Sequence, residues 1–171
     1  LTRSGVVGVM ATPATFQGEL YRATVGQHAC DVRVVEQVCI GLADLVERGE
    51  LDGPACEGQL RQFLQPMLAA GADTIVLGCT HYPFVIDTIR RLVGPGLAVL
   101  DPAPAVARHL GEVLAYRGLR RHQLQPFHRF LTAVVPHGFD RAAQRLVGVT
   151  AASQALSWMC DGSTSLALHP L

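Results

Sequence analysis

The sequence contains no lysine and no asparagine, although it is 171 residues long. All fourteen of its Lys+Arg cations are therefore arginine. Without lysine there can be no P-loop lysine and no Schiff-base lysine, and without asparagine there can be no N-glycosylation sequon. Because Arg, Ala, Gly and Pro are abundant, codon bias is an alternative to a chemical cause, and we favour codon bias.

An excess of one charge and long hydrophobic runs are absent as well. The fourteen cations balance fourteen acidic residues, and the densest basic cluster, Arg117 to His122, is short. Proteins that bind nucleic acid normally carry a basic stripe, so we expect no nucleic-acid partner. No window approaches the roughly 18 consecutive apolar residues of a membrane span, so we expect no membrane partner.

The cysteines are odd in number and widely scattered, and none forms a C-x-x-C pair. This excludes the usual signatures of a disulfide framework and of a zinc site. The histidines show no metal-ligand spacing, so we expect no metal, and Gly94-Pro-Gly96 is a turn rather than a dinucleotide-binding motif. Reduced thiols in a cytoplasm are the simplest interpretation. The five cysteines are Cys30, Cys39, Cys56, Cys79 and Cys160.

Short apolar runs alternate with longer periodic segments, a pattern typical of α/β proteins. Hydrophobic residues make up 49% of the chain and charged residues 16%, enough to bury a core. The predicted strands are Val6–Met10, His28–Val35, Asp73–Gly78, Leu97–Leu100 and Phe130–Val135. The predicted helices are Phe16–Ala23, one around Val38–Val46, Gly58–Ala70, one after Pro83 up to Gly94, Ala105–Tyr116 and Phe139–Val147.

Polar side chains follow two of the predicted strands. Thr12 and Thr15 follow the first strand, and Cys79, Thr80 and His81 follow the clearest one. Ligands gather outside the carboxyl ends of the strands in open α/β sheets, so we expect the site there. A helix N-terminus favours a thiolate over a thiol, His81 could exchange its proton, and Thr80 could bind a carboxylate.

The alternative for Cys79 is inert packing, because free cysteine usually behaves as a small buried hydrophobe. The neighbouring His81 and the predicted helix start favour a reactive thiol, acting as a base or as a nucleophile. The other four cysteines have no such neighbours, and we interpret them as packing or surface residues. Glu47 lies beside Arg48 near a helix end, where a solvated charge is the default.

The run Leu77-Gly-Cys-Thr-His-Tyr-Pro83 resembles the second catalytic-cysteine motif of glutamate racemases, in the aspartate/glutamate racemase family. The stretch Val7–Thr15 resembles the family's strand and T-x-x-T turn, with Ala11 where Gly is usual. Cys39–Gly49 resembles the segment that ends in Leu-Val-Glu-x-Gly, although the usual Cys-Pro start is Cys39-Ile40 here.

Two later stretches extend the resemblance to about residues 5 to 150. Leu100–Pro102 stands where the family often has Ile-Asp-Ser, and Phe127–Gly148 resembles its closing strand and helix. The family's first half carries an Asp-Ser-Gly segment and a first catalytic cysteine in a Cys-Asn-Thr motif. This sequence has neither, so we expect it to be the C-terminal half only, with Leu1 reflecting truncation.

The resemblance implies a cofactor-independent racemase with two cysteines on opposite faces of the substrate's α-carbon. One thiolate removes the α-proton, and the opposite thiol reprotonates the carbanion. Cys79 matches one of these cysteines, and Thr80 and His81 would contact the substrate, with His81 also assisting the thiol. Thr12 and Thr15 would bind the substrate carboxylate or amino group. Glu47 would support the His81 side.

In terms of the family fold, residues 1–100 would form a complete lobe, a three-layer α/β/α sandwich with a parallel sheet that carries Cys79. Residues 101–158 would be the returning C-terminal part of a second, pseudo-symmetric α/β lobe, and residues 159–171 a loosely ordered tail. Without its partner strands, the returning segment should expose apolar surface or associate with another chain. A homodimer is one such association.

The resemblance also implies that the parent protein interconverts L- and D-glutamate for peptidoglycan synthesis, and thus for cell-wall biogenesis and cell shape. Its partner would be a small-molecule substrate, glutamate, in the cytoplasm. Two alternatives stay open: a racemase for aspartate or another amino acid, and a non-catalytic remnant or binding module. We expect the 171-residue chain to show no two-base racemase activity alone.

Overall fold

The computed structural model describes residues 2–121, 128–160 and 164–168. The chain divides into two compact units, Leu1–Arg120 and Arg121–Leu171. The domain boundary predicted near residue 100 stays a prediction.

The first unit is built on a parallel four-stranded sheet in the order β2-β1-β3-β4. β1 lies at the centre and pairs with β2 over its whole length and with β3 from Val7 to Met10. The α/β class and the parallel sheet predicted from the sequence are thus confirmed. The strands are β1 (Val6–Ala11), β2 (Arg33–Val38), β3 (Thr74–Leu77) and β4 (Ala98–Leu100).

Helices connect successive strands, as parallel pairing requires. A four-residue 3-10 helix, Tyr82–Val85, precedes α5. The helices of the first unit are α1 (Pro13–Gln17), α2 (Glu19–His28), α3 (Leu42–Arg48), α4 (Gly53–Ala69), α5 (Ile86–Val93) and α6 (Ala103–Tyr116).

The helices form two layers around the sheet. α4 packs so closely on β1 that a Cβ atom at Gly8 would collide with the side chain of Met67. The connection from β1 to β2 crosses the sheet in the opposite direction to the connections into β3 and β4. Because crossovers are right-handed, α1 and α2 then lie on the face opposite to α4 and α5. This gives the expected three layers.

The core of the first unit lies mainly between α3, α4, α5 and the sheet. Its largest fully buried side chains come from strands and from the inner faces of these helices. They include Met10, Leu42, Leu60, Leu64, Met67, Ile75, Leu77, Tyr82 and Ile89.

Two predicted elements near the N-terminus are corrected. The helix expected over Phe16–Ala23 is two helices, because Gly18 is extended and its N–H is bonded to the carbonyl of Thr15. The strand expected over His28–Val35 begins only at Arg33, since His28 still ends α2. The later start allows β2 to pair with all six residues of β1.

The second unit contains α7 (Pro136–Val147) and a sheet in the order β5-β6-β7. β5 (Leu131–Thr132) pairs in parallel with β6 (Gln154–Cys160), and β6 pairs antiparallel with β7 (Thr164–Leu168). The stretch predicted as a loosely ordered tail therefore contributes a strand, and its residues 161–163 and 169–171 lie outside the described residues.

Within the described ranges, the structure contains no helix with the length and apolar character needed to cross a membrane.

Candidate active site

Three residues lie side by side just beyond the carboxyl ends of neighbouring strands. Thr12 follows β1, Cys39 follows β2, and Cys79 follows β3 after Gly78. Backbone hydrogen bonds continue the pairing beyond β2 and β3: the N–H of Gly78 donates to the Met10 carbonyl at 2.7 Å, and that of Cys39 to the Ala11 carbonyl at 3.0 Å. This is the edge of the sheet at which the sequence predicts the site.

Cys79, His81 and Glu47 form a continuous series of polar contacts at this edge. The Sγ atom of Cys79 lies 3.8 Å from Nδ1 of His81. Nε2 of His81 lies 3.2 Å from Oε1 of Glu47. With the proton of neutral His81 on Nε2, the ring donates to the carboxylate and Nδ1 is left to accept the thiol proton. The arrangement can thus activate a thiol as a base or nucleophile.

The local sequence explains why Glu47 reaches this edge. Helix α3 buries Leu42, Leu45 and Val46, so the adjacent Glu47 faces outward. Two glycines in the left-handed region, Gly41 and Gly49, bound the helix. The Glu47 side chain is 65% exposed and that of His81 is 34% exposed, so the series runs from the half-buried thiol out to solvent.

Two further predicted residues, Thr12 and Thr15, are brought together by α1. Their hydroxyl oxygens lie 3.1 Å apart, and the N–H of Thr15 donates to the carbonyl of Thr12. Both side chains are half-buried. Two hydroxyls at a strand end can donate to a carboxylate, which is the role that the resemblance implies.

Thr80 lines a cavity of about 610 Å³ together with Cys79. Its other walls include Pro83, Asp101 and the apolar side of α6. One oxygen of Asp101 accepts the N–H of Ala103 at 2.9 Å. Cys79 therefore adjoins space large enough for a small amino acid.

The sequence pattern did not single out Tyr82, and Cys39 was predicted to be a packing or surface residue. Tyr82 is fully buried, and its hydroxyl donates to the carbonyl of Cys39 at 3.2 Å. Burial, followed by the nearby Cys79, raises the pKa of the Cys39 thiol to about 12, so Cys39 stays a neutral thiol. The only sequence signal for Tyr82 was its place directly after the residues Cys79 to His81.

The expected effect of the helix dipole on Cys79 is corrected. The α-helix predicted to begin at Pro83 begins at Ile86, after the 3-10 helix Tyr82–Val85. The field of a helix end falls off within one turn, and α5 begins seven positions after Cys79 rather than four, as predicted. Polar neighbours of the thiol are His81, at 3.8 Å, and the buried Tyr82.

The model of the Asp/Glu/Hydantoin racemase family matches residues 1–110. The chain belongs to this family. Its similarity to individual glutamate racemases extends further along the chain. The glutamate racemase of Roseiflexus sp. strain RS-1 is 49% identical over 121 residues, which are 71% of this chain and 44% of that protein. The glutamate racemase of Herpetosiphon aurantiacus is 44% identical over 146 residues, 85% of this chain and 58% of that protein.

Solved glutamate racemases share the fold. A glutamate racemase isoform from Bacillus anthracis has a TM-score of 0.84 and 29% identity over 92% of this chain and 59% of that one. The enzyme from Francisella tularensis, solved with D-glutamate, has a TM-score of 0.81 and 22% identity over 93% of this chain and 59% of that one, a likeness of fold alone. The chain spans about half the length of the curated glutamate racemases that it matches.

Among the residues that the structure describes, no three His, Cys, Asp or Glu side chains gather in a way that could hold a metal ion.

Proposed function

We propose that this chain supplies one of the two acid–base faces of a glutamate racemase. The observation that carries the proposal is the series Cys79–His81–Glu47 at the ends of parallel strands. The names and identities of the relatives support glutamate as the substrate.

In the proposed reaction, the Cys79 thiolate removes the α-proton of one glutamate enantiomer. His81 takes up the thiol proton beforehand, and Glu47 keeps the imidazole in the tautomer that can do so. A second thiol protonates the planar carbanion on its other face. This thiol comes from the part of a full-length racemase that corresponds to the unmatched part of the relatives. No cofactor takes part, since the thiols perform both proton transfers.

Hydroxyls would hold the substrate while the proton moves. Thr12 and Thr15 present a pair of oxygens 3.1 Å apart, suited to a carboxylate or an amino group. Thr80 lines the cavity beside Cys79 and is exposed, so its hydroxyl and backbone N–H can also reach a carboxylate. Fixing the substrate lowers the entropic part of the barrier to proton transfer.

The reaction would provide D-glutamate for peptidoglycan. It needs reduced thiols, which supports a cytoplasmic location. Four cysteines with described side chains are free, namely Cys30, Cys39, Cys56 and Cys79. Balanced charge supports the absence of a nucleic-acid partner. The absence of a membrane partner and the formation of a homodimer stay predictions.

A chimeric protein tests the proposal. The part of the Roseiflexus relative that lies outside the match is fused to this chain, and the ellipticity of L- or D-glutamate is followed over time. We expect racemisation by the chimera, none by the 171-residue chain alone, and none after Cys79→Ala. Turnover by the chain alone, or by the Cys79→Ala chimera, would contradict the two-thiol mechanism.

Substrate profiling of the same chimera separates the alternatives. Faster turnover of aspartate or another amino acid than of glutamate would replace the substrate but keep the mechanism. A folded chimera that turns over no amino acid, with a Cys79 thiol that alkylates no faster than a model thiol near neutral pH, would favour a non-catalytic remnant.

A further inference from the structure

Tyr82 is a buried titratable residue for which the proposed reaction has no use. Its side chain is fully buried, and its hydroxyl donates to the Cys39 carbonyl at 3.2 Å. Its own N–H donates to the carbonyl of Cys79 at 3.2 Å. Burial raises the pKa of Tyr82, and the nearby Cys39 and Cys79 raise it further. One residue therefore contacts the segments that follow β2 and β3.

The bond to Cys39 connects two elements that both contribute to the site. Cys39 directly follows β2 and leads through Gly41 into α3, which carries Glu47. Tyr82 lies one residue after His81 on the segment that carries Cys79. The Glu47 side chain contacts His81 at 3.2 Å, and both of these residues are partly open to solvent. The buried Tyr82 bond ties the same two elements together below that exposed contact.

We propose that Tyr82 is a positioning residue, whose hydroxyl holds the start of α3 against the turn at residues 79–81 (the Cys79 turn). This bond keeps Glu47, His81 and Cys79 aligned. The inference rests on the proposed role of Cys79. It assigns no proton transfer to Tyr82, because the hydroxyl proton is engaged with the Cys39 carbonyl. The exposed Glu47–His81 contact alone would be held weakly, since exposed pairs contribute little.

The test uses the full chain and does not require racemase activity. Cys79 is alkylated with iodoacetamide over a range of pH, and the label is read on tryptic peptides. Because the chain has no lysine, trypsin cuts only after arginine, and peptide Gln62–Arg90 contains Cys79 as its only cysteine. The Cys79 rate is thus measured separately from the exposed thiol of Cys30.

We expect Tyr82→Phe to slow Cys79 alkylation near neutral pH by about 2- to 10-fold, the range expected for loss of one buried hydrogen bond. The pH profile of the rate should move with it, which a packing role alone would not cause. Tyr21→Phe is the matched control: its hydroxyl is also buried but faces Glu36 on β2. A Tyr82→Phe profile equal to that of Tyr21→Phe would overturn the proposal.

A double-mutant cycle with Glu47→Gln identifies the route. If Tyr82 acts by aligning Glu47 with His81, then Glu47→Gln slows alkylation in the natural chain but changes little in the Tyr82→Phe background. Two effects that multiply would show that Tyr82 does not act through Glu47. Far-UV circular dichroism and thermal unfolding check that each variant is folded.

A second measurement needs no substitution at Tyr82. The chain has three tyrosines, and with 3-fluorotyrosine it gives three fluorine resonances, of which the one retained in a Tyr21→Phe, Tyr116→Phe chain belongs to Tyr82. We expect alkylation of Cys79 to shift this resonance and to leave the other two unchanged. An unmoved Tyr82 resonance would overturn the proposal. If the chimera is inactive but Tyr82→Phe still slows the alkylation of Cys79, the proposed racemase activity is contradicted. The positioning role of Tyr82 is not contradicted by that result.

Discussion

Nε2 of His81 lies 3.2 Å from Oε1 of Glu47, although 34 positions separate the two residues in the chain. The contact fixes which ring nitrogen faces the Cys79 thiol. The site therefore depends on two elements, α3 and the segment after β3, and not on the cysteine motif alone.

Glu47→Gln should weaken this contact while preserving its shape. We expect Cys79 alkylation near neutral pH to slow by about 2- to 10-fold, because a neutral amide holds the imidazole less firmly than a carboxylate does. Peptide-resolved alkylation measures the rate. Glu50→Gln is the control, since Glu50 pairs with Arg48 in solvent. Equal rates for the two variants would contradict the role of Glu47.

Burial of Cys39 predicts alkaline instability. Its ordinary pKa of 9.0 rises to about 12 in the folded chain, so unfolding releases a proton between these values. The contribution of Cys39 to the free energy of unfolding is therefore constant below about pH 9. It falls as the pH rises towards 12, by about 1.4 kcal/mol per pH unit.

Cys39→Ala should remove that part of the slope. Denaturant unfolding at several pH values between 9 and 12 measures it. The slope, rather than the stability itself, is the readout, because the smaller side chain also leaves a void. A variant with the slope of the natural chain would show that Cys39 is not the group that titrates.

Gly78 lies where a side chain has little room. A Cβ atom there would approach the Cβ of Ala11 and the carbonyl oxygen of Met10 to 3.1 Å. We expect Gly78→Ala to destabilise the chain by about 1–3 kcal/mol through overpacking. Gly58→Ala, on α4 in open space, should instead stabilise it by about 0.5–1 kcal/mol. Chemical denaturation compares the two, and equal effects would contradict the crowding at Gly78.

Asp73 ties the N-terminal segment to the start of β3. Its carboxylate accepts bonds from the Thr2 hydroxyl and from the N–H groups of Arg3 and Ser4, and these bonds lower its pKa from the ordinary 3.8. The contribution of these bonds to the stability of the folded chain is fully present above pH 3.8. It is lost as the pH falls through the lower pKa of Asp73 in the folded chain.

We therefore expect Asp73→Asn to lower the melting temperature at neutral pH and to reduce the further loss on acidification. Thermal unfolding by circular dichroism at neutral and acidic pH measures both. Asp87→Asn is the control, because Asp87 is almost fully exposed. A melting temperature equal to that of the control at neutral pH would contradict the prediction.

The individual strands and the cysteine motif could be predicted from the sequence because each is local. The run Asp73–Gly78 is apolar, rich in β-branched residues and bounded by glycine, and Cys79 and His81 lie two residues apart at its end. Chain pattern alone left Glu47 as a solvated charge, and only the family resemblance placed it near His81. The contact requires α3 to pack beside the Cys79 turn, which no spacing reveals.

Tyr82 could not be assigned for a similar reason. A tyrosine in the first turn of a helix can face solvent or core, and the choice depends on Cys39, 43 residues earlier. The divided helix at Gly18 was missed because the extended conformation of one residue outweighed the helical pattern on both sides.

The exposure of Glu47 gives the site a dependence on ionic strength. With 65% of this side chain open to solvent, mobile ions reach its carboxylate, and the Debye length at physiological salt is about 8 Å. The inner Cys79–His81 contact is less accessible to such screening. Added salt should therefore weaken the interaction between the Glu47 carboxylate and the His81 imidazole before it disturbs the Cys79 thiol. The ionic strength of the buffer thus modulates the candidate site through Glu47.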